Sequence, residues 1–209
     1  MVMPTIFTER AEKITAVYDW YDAISNVGYK IFYCCAKTDS VSTSYFLTAN
    51  KIDSNPPNTG GSFGGAVSMD LEFDADITFN APAVIAAGEA IINASWENTQ
   101  TSGTGMYAVF TLYHVNLAAA ETSIGTATTA THAGGAFPPY QWRECVKMDV
   151  TAKSFAIGEK LRLNVQIWGG MSAGGSTAFN VYHDPSSRSA FATTSGTDLK
   201  VVVPFKVTL

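Results

Sequence analysis

From Met69 to Asn80 the chain alternates without interruption. Leu71, Phe73, Ala75, Ile77 and Phe79 share one parity, and Asp70, Glu72, Asp74 and Asp76 share the other. A period of two marks a strand with one face in a core and one in water. The same period recurs where Leu161, Leu163, Val165 and Ile167 alternate with Arg162, Asn164, Gln166 and Trp168. Near the end, Leu199, Val201, Val203, Phe205 and Val207 alternate with Lys200, Val202, Pro204 and Lys206. Pro204 brings no N–H to a ladder, so this last strand is expected at an edge or a bulge.

Further strands are expected over 29–36, 45–48, 90–97, 106–115, 143–150 and 179–183, with a weaker Thr- and Ala-rich one within 124–131. Turn-rich segments separate them, at 53–65, 99–105, 169–176 and 184–197. Many short strands divided by Gly, Ser, Thr and Pro loops predict an all-β protein of about eight to ten strands: an antiparallel β-sandwich of the jelly-roll type. Helix is expected only near the start, where 8–25 holds Trp20, Tyr21 and Ile24 without a continuous apolar stripe. Residues 1–25 are therefore set apart as a short irregular or helical N-terminal segment, and 26–209 as one β-sandwich domain. No linker and no 20–50-residue repeat divides that domain.

Composition narrows the partners. The 209 residues carry a net charge of −5 and only 15% charged side chains, with 46% hydrophobic. Average domains hold roughly 25% charged residues, and a chain this apolar has ample surface to bury. An acidic isoelectric point argues against nucleic acid, whose phosphates call for clustered Lys and Arg. No apolar run reaches the roughly 20 residues that span a bilayer. Glu9, Arg10, Glu12 and Lys13 stand where a signal peptide needs an apolar stretch, so synthesis in a reducing cytoplasm is expected. The three cysteines fit that setting: Cys34 and Cys35 are neighbours and the odd count leaves one over, which favours buried thiols to disulfides or a metal site. Nothing in the spacing fixes the reactivity of Cys145, beside Glu144.

The acidic row Asp70, Glu72, Asp74 and Asp76 is the sharpest chemical feature. Four carboxylates about 6–7 Å apart on one strand face repel one another unless something screens them. Calcium, cross-strand Lys or Arg, and plain water are the alternatives; calcium would need loop carbonyls as well. Catalysis finds little support: Gly-x-Ser-x-Gly is missing, and His114, His132 and His183 are scattered over a strand, a loop and a turn. Gly60–Gly65 lacks the Lys-Ser/Thr ending of a phosphate loop. No catalytic residue and no cofactor is assigned. Trp142 and Trp168 lie near strand ends, and Trp168 shares its parity with Arg162, Asn164 and Gln166. An aromatic beside polar donors suits either the close of a core or a contact surface.

Three segments carry a resemblance. They are Asp19-Trp20-Tyr21-Asp22-Ala23-Ile24 leading through Gly28-Tyr29 into Ile31-Phe32-Tyr33, the stretch Phe155-Ala156-Ile157-Gly158-Glu159-Lys160-Leu161-Arg162-Leu163, and Tyr182-His183-Asp184-Pro185 before the last strand. In these the chain resembles small jelly-roll proteins of tailed-phage virions, of the head-decoration or tail-accessory kind. The resemblance implies a non-enzymatic structural protein on the exterior of a capsid or tail, bridging neighbouring subunits. Homo-oligomers are expected, a trimer suiting threefold lattice positions. An exterior place agrees with the first 25 residues, where two basic side chains face four acidic ones. Ile6, Phe7, Trp20 and Tyr21 are the candidate docking residues. The alternative is a carbohydrate- or receptor-binding module using Trp142, Trp168 and Arg162.

Overall fold

The computed structural model describes residues 27–99, 103–133, 140–171, 177–185 and 198–206. The N-terminal candidates Ile6, Phe7, Trp20 and Tyr21 lie outside them. Thirteen strands follow in order: β1 (Val27–Thr38), β2 (Thr43–Thr48), β3 (Asn58–Phe63), β4 (Ser68–Thr78), β5 (Ala83–Ile85), β6 (Gly88–Asn98), β7 (Gly103–Val115), β8 (Glu121–Thr128), β9 (Tyr140–Val150), β10 (Lys153–Phe155), β11 (Lys160–Met171), β12 (Thr177–Tyr182) and β13 (Lys200–Lys206). No helix occurs among the described residues. The protein is an all-β sandwich, as the alternation predicts.

One hydrogen-bonded path runs β3-β12-β6-β13-β1-β2-β4-β11-β7-β8, with β9 on the free side of β6 and β5 on β13. Pairing is antiparallel except between β2 and β4, which meet in parallel through Tyr45↔Ala75 and Phe46↔Asp76. That short junction is where the path turns from one layer into the other. One layer holds β4, β11, β7 and β8, and the other holds β1, β13, β6, β9, β12 and β3. Their inner faces meet in one apolar cluster. Phe73 and Ala75 of β4, Leu161, Leu163, Val165 and Ile167 of β11, and Phe110 and Leu112 of β7 face Phe32, Ile92, Trp96, Val201 and Val203. Side chains of this size contribute about 1.5–3 kcal/mol each on full burial, which makes the cluster the main source of stability.

Two local departures from the sequence reading have plain causes. The glycine-rich stretch expected as a turn contains β3, paired with β12 from Asn58↔Tyr182 to Phe63↔Thr177. Glycine is required there by close approach: a Cβ on Gly61 would lie 2.7 Å from the Phe179 ring. Across the core, a Cβ on Gly169 would lie 2.6 Å from the Phe63 ring, which itself stacks on Phe179 at 4.4 Å. Pro204 lies inside the sheet rather than at its edge. Its missing N–H falls where β13 changes partner, between Val202↔Ile91 of β6 and Phe205↔Ile85 of β5, so no ladder bond is forfeited. The short strands β5 and β10 escape a two-residue alternation altogether.

Candidate functional site

The acidic row faces outward from β4, as its parity requires, and is met side by side by β11. The register places Arg162 opposite Asp76, Asn164 opposite Asp74 and Gln166 opposite Glu72. Arg162 grips Asp76 with two bonds, Nε to Oδ1 at 2.7 Å and Nη2 to Oδ2 at 2.9 Å. Its Nη1 reaches Asp74 at 2.8 Å and Glu121 of β8 at 2.5 Å. Asn164 donates to both Glu72 and Asp74, and Gln166 donates to Glu72. Burial pushes the Asp76 carboxyl upward, but the Arg162 and Lys160 cations outweigh it and hold it below the ordinary value. Cross-strand pairing thus screens the row. Among the described residues, no group of three or more His, Cys, Asp or Glu is arranged to hold a metal ion. Asp70, at the end of the row, has its carboxyl raised by burial.

Trp168 continues this outer face on β11, its ring parallel to Tyr107 at 6.0 Å and its Nε1–H on Gln166 at 3.2 Å. Arg162 and Trp168 therefore share a face, but Arg162 is spent on three carboxylates. Trp142 lies elsewhere. It points inward from β9, packed on Trp96 at 4.7 Å, on His132 at 4.8 Å and on Tyr140 at 6.2 Å. The structure does not bring the two tryptophans together.

Beside Trp142 opens a cleft of about 430 Å³ between β8 and β9, lined by residues including Thr128, Ala130, His132, Trp142, Glu144 and Lys147. The two strands meet at one end, where the Thr151 amide donates to the Ile124 carbonyl at 2.8 Å. No ladder joins them beyond that point. Glu144 Oε1 accepts from the Trp96 indole at 2.9 Å and from His132 Nε2 at 2.7 Å. The sequence reading left Glu144 and His132 unassigned. Glu144 carried a signal, because it shares the inward parity of Trp142 and Met148; His132 lies on a loop and carried none.

A serine, a histidine and an aspartate do come together, at Ser54, His183 and Asp184, all fully buried. Their hydrogen bonds run the wrong way for a nucleophile. The Ser54 hydroxyl donates to the Pro56 carbonyl at 2.9 Å and receives the Ala36 amide at 2.7 Å. His183 Nδ1, 2.8 Å away, must then donate to Ser54, and Nε2 accepts from Thr59 at 2.9 Å. Thr59 in turn accepts from the Tyr45 hydroxyl at 2.7 Å. A base that donates to the serine cannot take its proton. Burial lowers the His183 pKa to about 4, so the imidazole is neutral near pH 7. The cluster fastens the 49–57 loop to β12. His183, the last residue of the strand expected over 179–183 and just before the turn at Asp184, continues the inward parity of Phe179 and Val181.

The other histidine and the cysteines are settled by position. His114 is buried on the inner face of β7 and bonds Glu159 at 2.9 Å. Cys34 and Cys35 are buried on opposite faces of β1, and Cys145 is exposed. Burial, with the Asp184 charge adding to it, pushes the Cys35 thiol up to about 11. No described helix is long and apolar enough to cross a membrane.

No family model and no curated protein matches the chain. Solved structures match its fold. An aminopeptidase from a marine sediment archaeon, Thaumarchaeota archaeon, superposes with a TM-score of 0.56 at 8% identity over 87% of this chain. A CocE/NonD family hydrolase from Staphylococcus aureus does so with 0.53 at 9% identity over 86%. The chain spans 37% of the length of each. At such identities the likeness is one of fold: a β-sandwich that also occurs as part of larger proteins.

Proposed function

We propose that this chain is a non-enzymatic contact protein of a phage virion, bound to the exterior of a capsid or tail and bridging neighbouring subunits. The observation that supports this most is an apolar strip on the outward face of β1 and its neighbours. Tyr29 is 56% exposed and Ile31 42% exposed. The register puts Ile31 beside Val202, and Val202 beside Ile91, all on this face. A strip of aromatic and aliphatic groups on a rigid sheet is suited to burial against another subunit. It also begins where the candidate docking segment 1–25, with Ile6, Phe7, Trp20 and Tyr21, leads into β1.

The remaining groups agree with a structural role. Within the acidic row Asp74 and Asp76 are paired with Arg162 and Lys160 and Glu72 is bonded by Asn164 and Gln166, and His183 and Ser54 are locked in a buried chain. The virion setting itself rests on the resemblance of 19–33, 155–163 and 182–185 to phage decoration and tail-accessory proteins. Co-sedimentation with virions that lack the protein tests the reading. The wild-type chain is expected to pellet with the particles. A Tyr29→Ser/Ile31→Ser variant, folded by circular dichroism, and a chain lacking residues 1–25 are expected to remain in the supernatant. Wild type that stays in solution would overturn the proposal. Particles that bind both variants as well as wild type would remove this face and segment as the contact.

A further inference from the structure

We infer that the cleft between β8 and β9 is a binding site for a neutral sugar ring. This goes beyond the contact role, because the cleft opens between two strand edges and not on the apolar strip of β1. Its volume, about 430 Å³, lies in the range of small-molecule sites.

The site is built on fixed elements. The loop leaving β8 is tied to β7 by four hydrogen bonds: Thr129 N to Ala108 O, Ala108 N to Thr129 Oγ1, and the reciprocal amide–carbonyl pair between His132 and Met106. On the opposite wall Trp142 is braced by Trp96, Tyr140 and His132, so its exposed part costs little entropy to use. Glu144 supplies the polar point. Two donors converge on its Oε1 and fix the carboxylate plane. Its other oxygen, Oε2, has no hydrogen bond among the described residues and stays free to accept from a ligand.

This pairing of an aromatic surface with an oriented acceptor selects the ligand class. A pyranose has an apolar C–H face for the indole and hydroxyl groups around its edge for the carboxylate. An anion would meet Glu144 as a like charge; of the two cations lining the cleft, Arg143 and Lys147, neither is free, and Lys147 is paired with Glu89 at 3.0 Å. A purely apolar ligand would leave the carboxylate desolvated without a partner.

Ligand-observed NMR with methyl glycosides of glucose, galactose, mannose and N-acetylglucosamine, and with methyl glucuronide, tests the inference. At least one neutral glycoside is expected to bind saturably with a Kd on the order of millimolar, and more tightly than the glucuronide. Glu144→Gln keeps an oxygen for Trp96 and His132 but replaces the free acceptor with a donor, and is expected to weaken binding by about tenfold. Thr128→Trp, on the exposed rim, fills the cleft without removing a core contact and is expected to abolish binding. Absence of saturable binding by every neutral glycoside would overturn the inference. So would tighter binding of the glucuronide, or affinities unchanged in both folded variants.

Discussion

The ordered chain Tyr45–Thr59–His183–Ser54–Pro56 has every proton direction fixed by its ends, since a carbonyl terminates one side and a phenol begins the other. Protonating His183 would put a second donor on Nε2, against a Thr59 hydroxyl whose own proton already points at the ring. Burial therefore depresses the folded-state pKa to about 4 from the ordinary 6.5. The sign follows: the unfolded chain takes up the proton more readily. Stability from this site is full above about pH 6.5 and is lost as the pH falls toward 4, by on the order of 3 kcal/mol in total. Urea titrations between pH 7.5 and 4 should show that decline in the wild type. In His183→Phe, which lacks the titrating group, the decline should be shallower and the stability at pH 7 lower. An identical pH profile in the two proteins would show that the ring does not report the loss. The parity of Phe179, Val181 and His183 made the ring's inward direction legible in sequence. Its partners, Ser54 and Thr59, lie over 120 residues away, and no local pattern discloses such a pairing.

At the scale of elements, alternation revealed the long strands because each buries one complete face. It missed β3, β5 and β10, which are too short or too glycine-rich to alternate. The register of β4 against β11 was equally hidden, although both polar faces had been read correctly. Once the strands pair, the acidic row and the row Arg162, Asn164, Gln166 become one ladder. Arg162→Gln removes the cation shared by Asp74, Asp76 and Glu121, and should cost about 2 kcal/mol near pH 7. Because Asp76 is held below its ordinary pKa in the folded protein, that cost should shrink as acid protonates the carboxylates. Equal losses at pH 7 and pH 3 in chemical denaturation would contradict the ladder's electrostatic account. The aromatic–glycine contact gives a second test. Gly169→Ala should destabilise by about 1–3 kcal/mol through overpacking, and Phe63→Leu in the same chain should recover part of the loss. Simple additivity of the two changes would show that the Cβ and the ring do not compete for one space.

The described residues form a sandwich whose interior is closed by large side chains and whose acidic β4 face is held to β11 by Arg162 and Lys160. Among the described residues, the exposed large apolar side chains include Tyr29 and Ile31 in the strip along β1, Leu117 and Ile157 on neighbouring turns, and Val41, Ile52, Val67 and Met69. Composition already pointed to a contact protein, since few charges mean little to desolvate on association. Beyond the candidate docking residues of segment 1–25, the part of the proposed contact that lies on the sheet was not legible, because outward apolar residues look the same in sequence as inward ones. Only the β1–β13–β6 register shows that Tyr29, Ile31, Val202 and Ile91 share one face. Native mass spectrometry of the purified chain, beside the Tyr29→Ser/Ile31→Ser variant, tests this account most directly. A closed symmetric oligomer, with a trimer expected, that dissociates to folded monomers in the variant is the predicted result. A wild-type chain that stays monomeric at every concentration, or a variant that assembles unchanged, would contradict it.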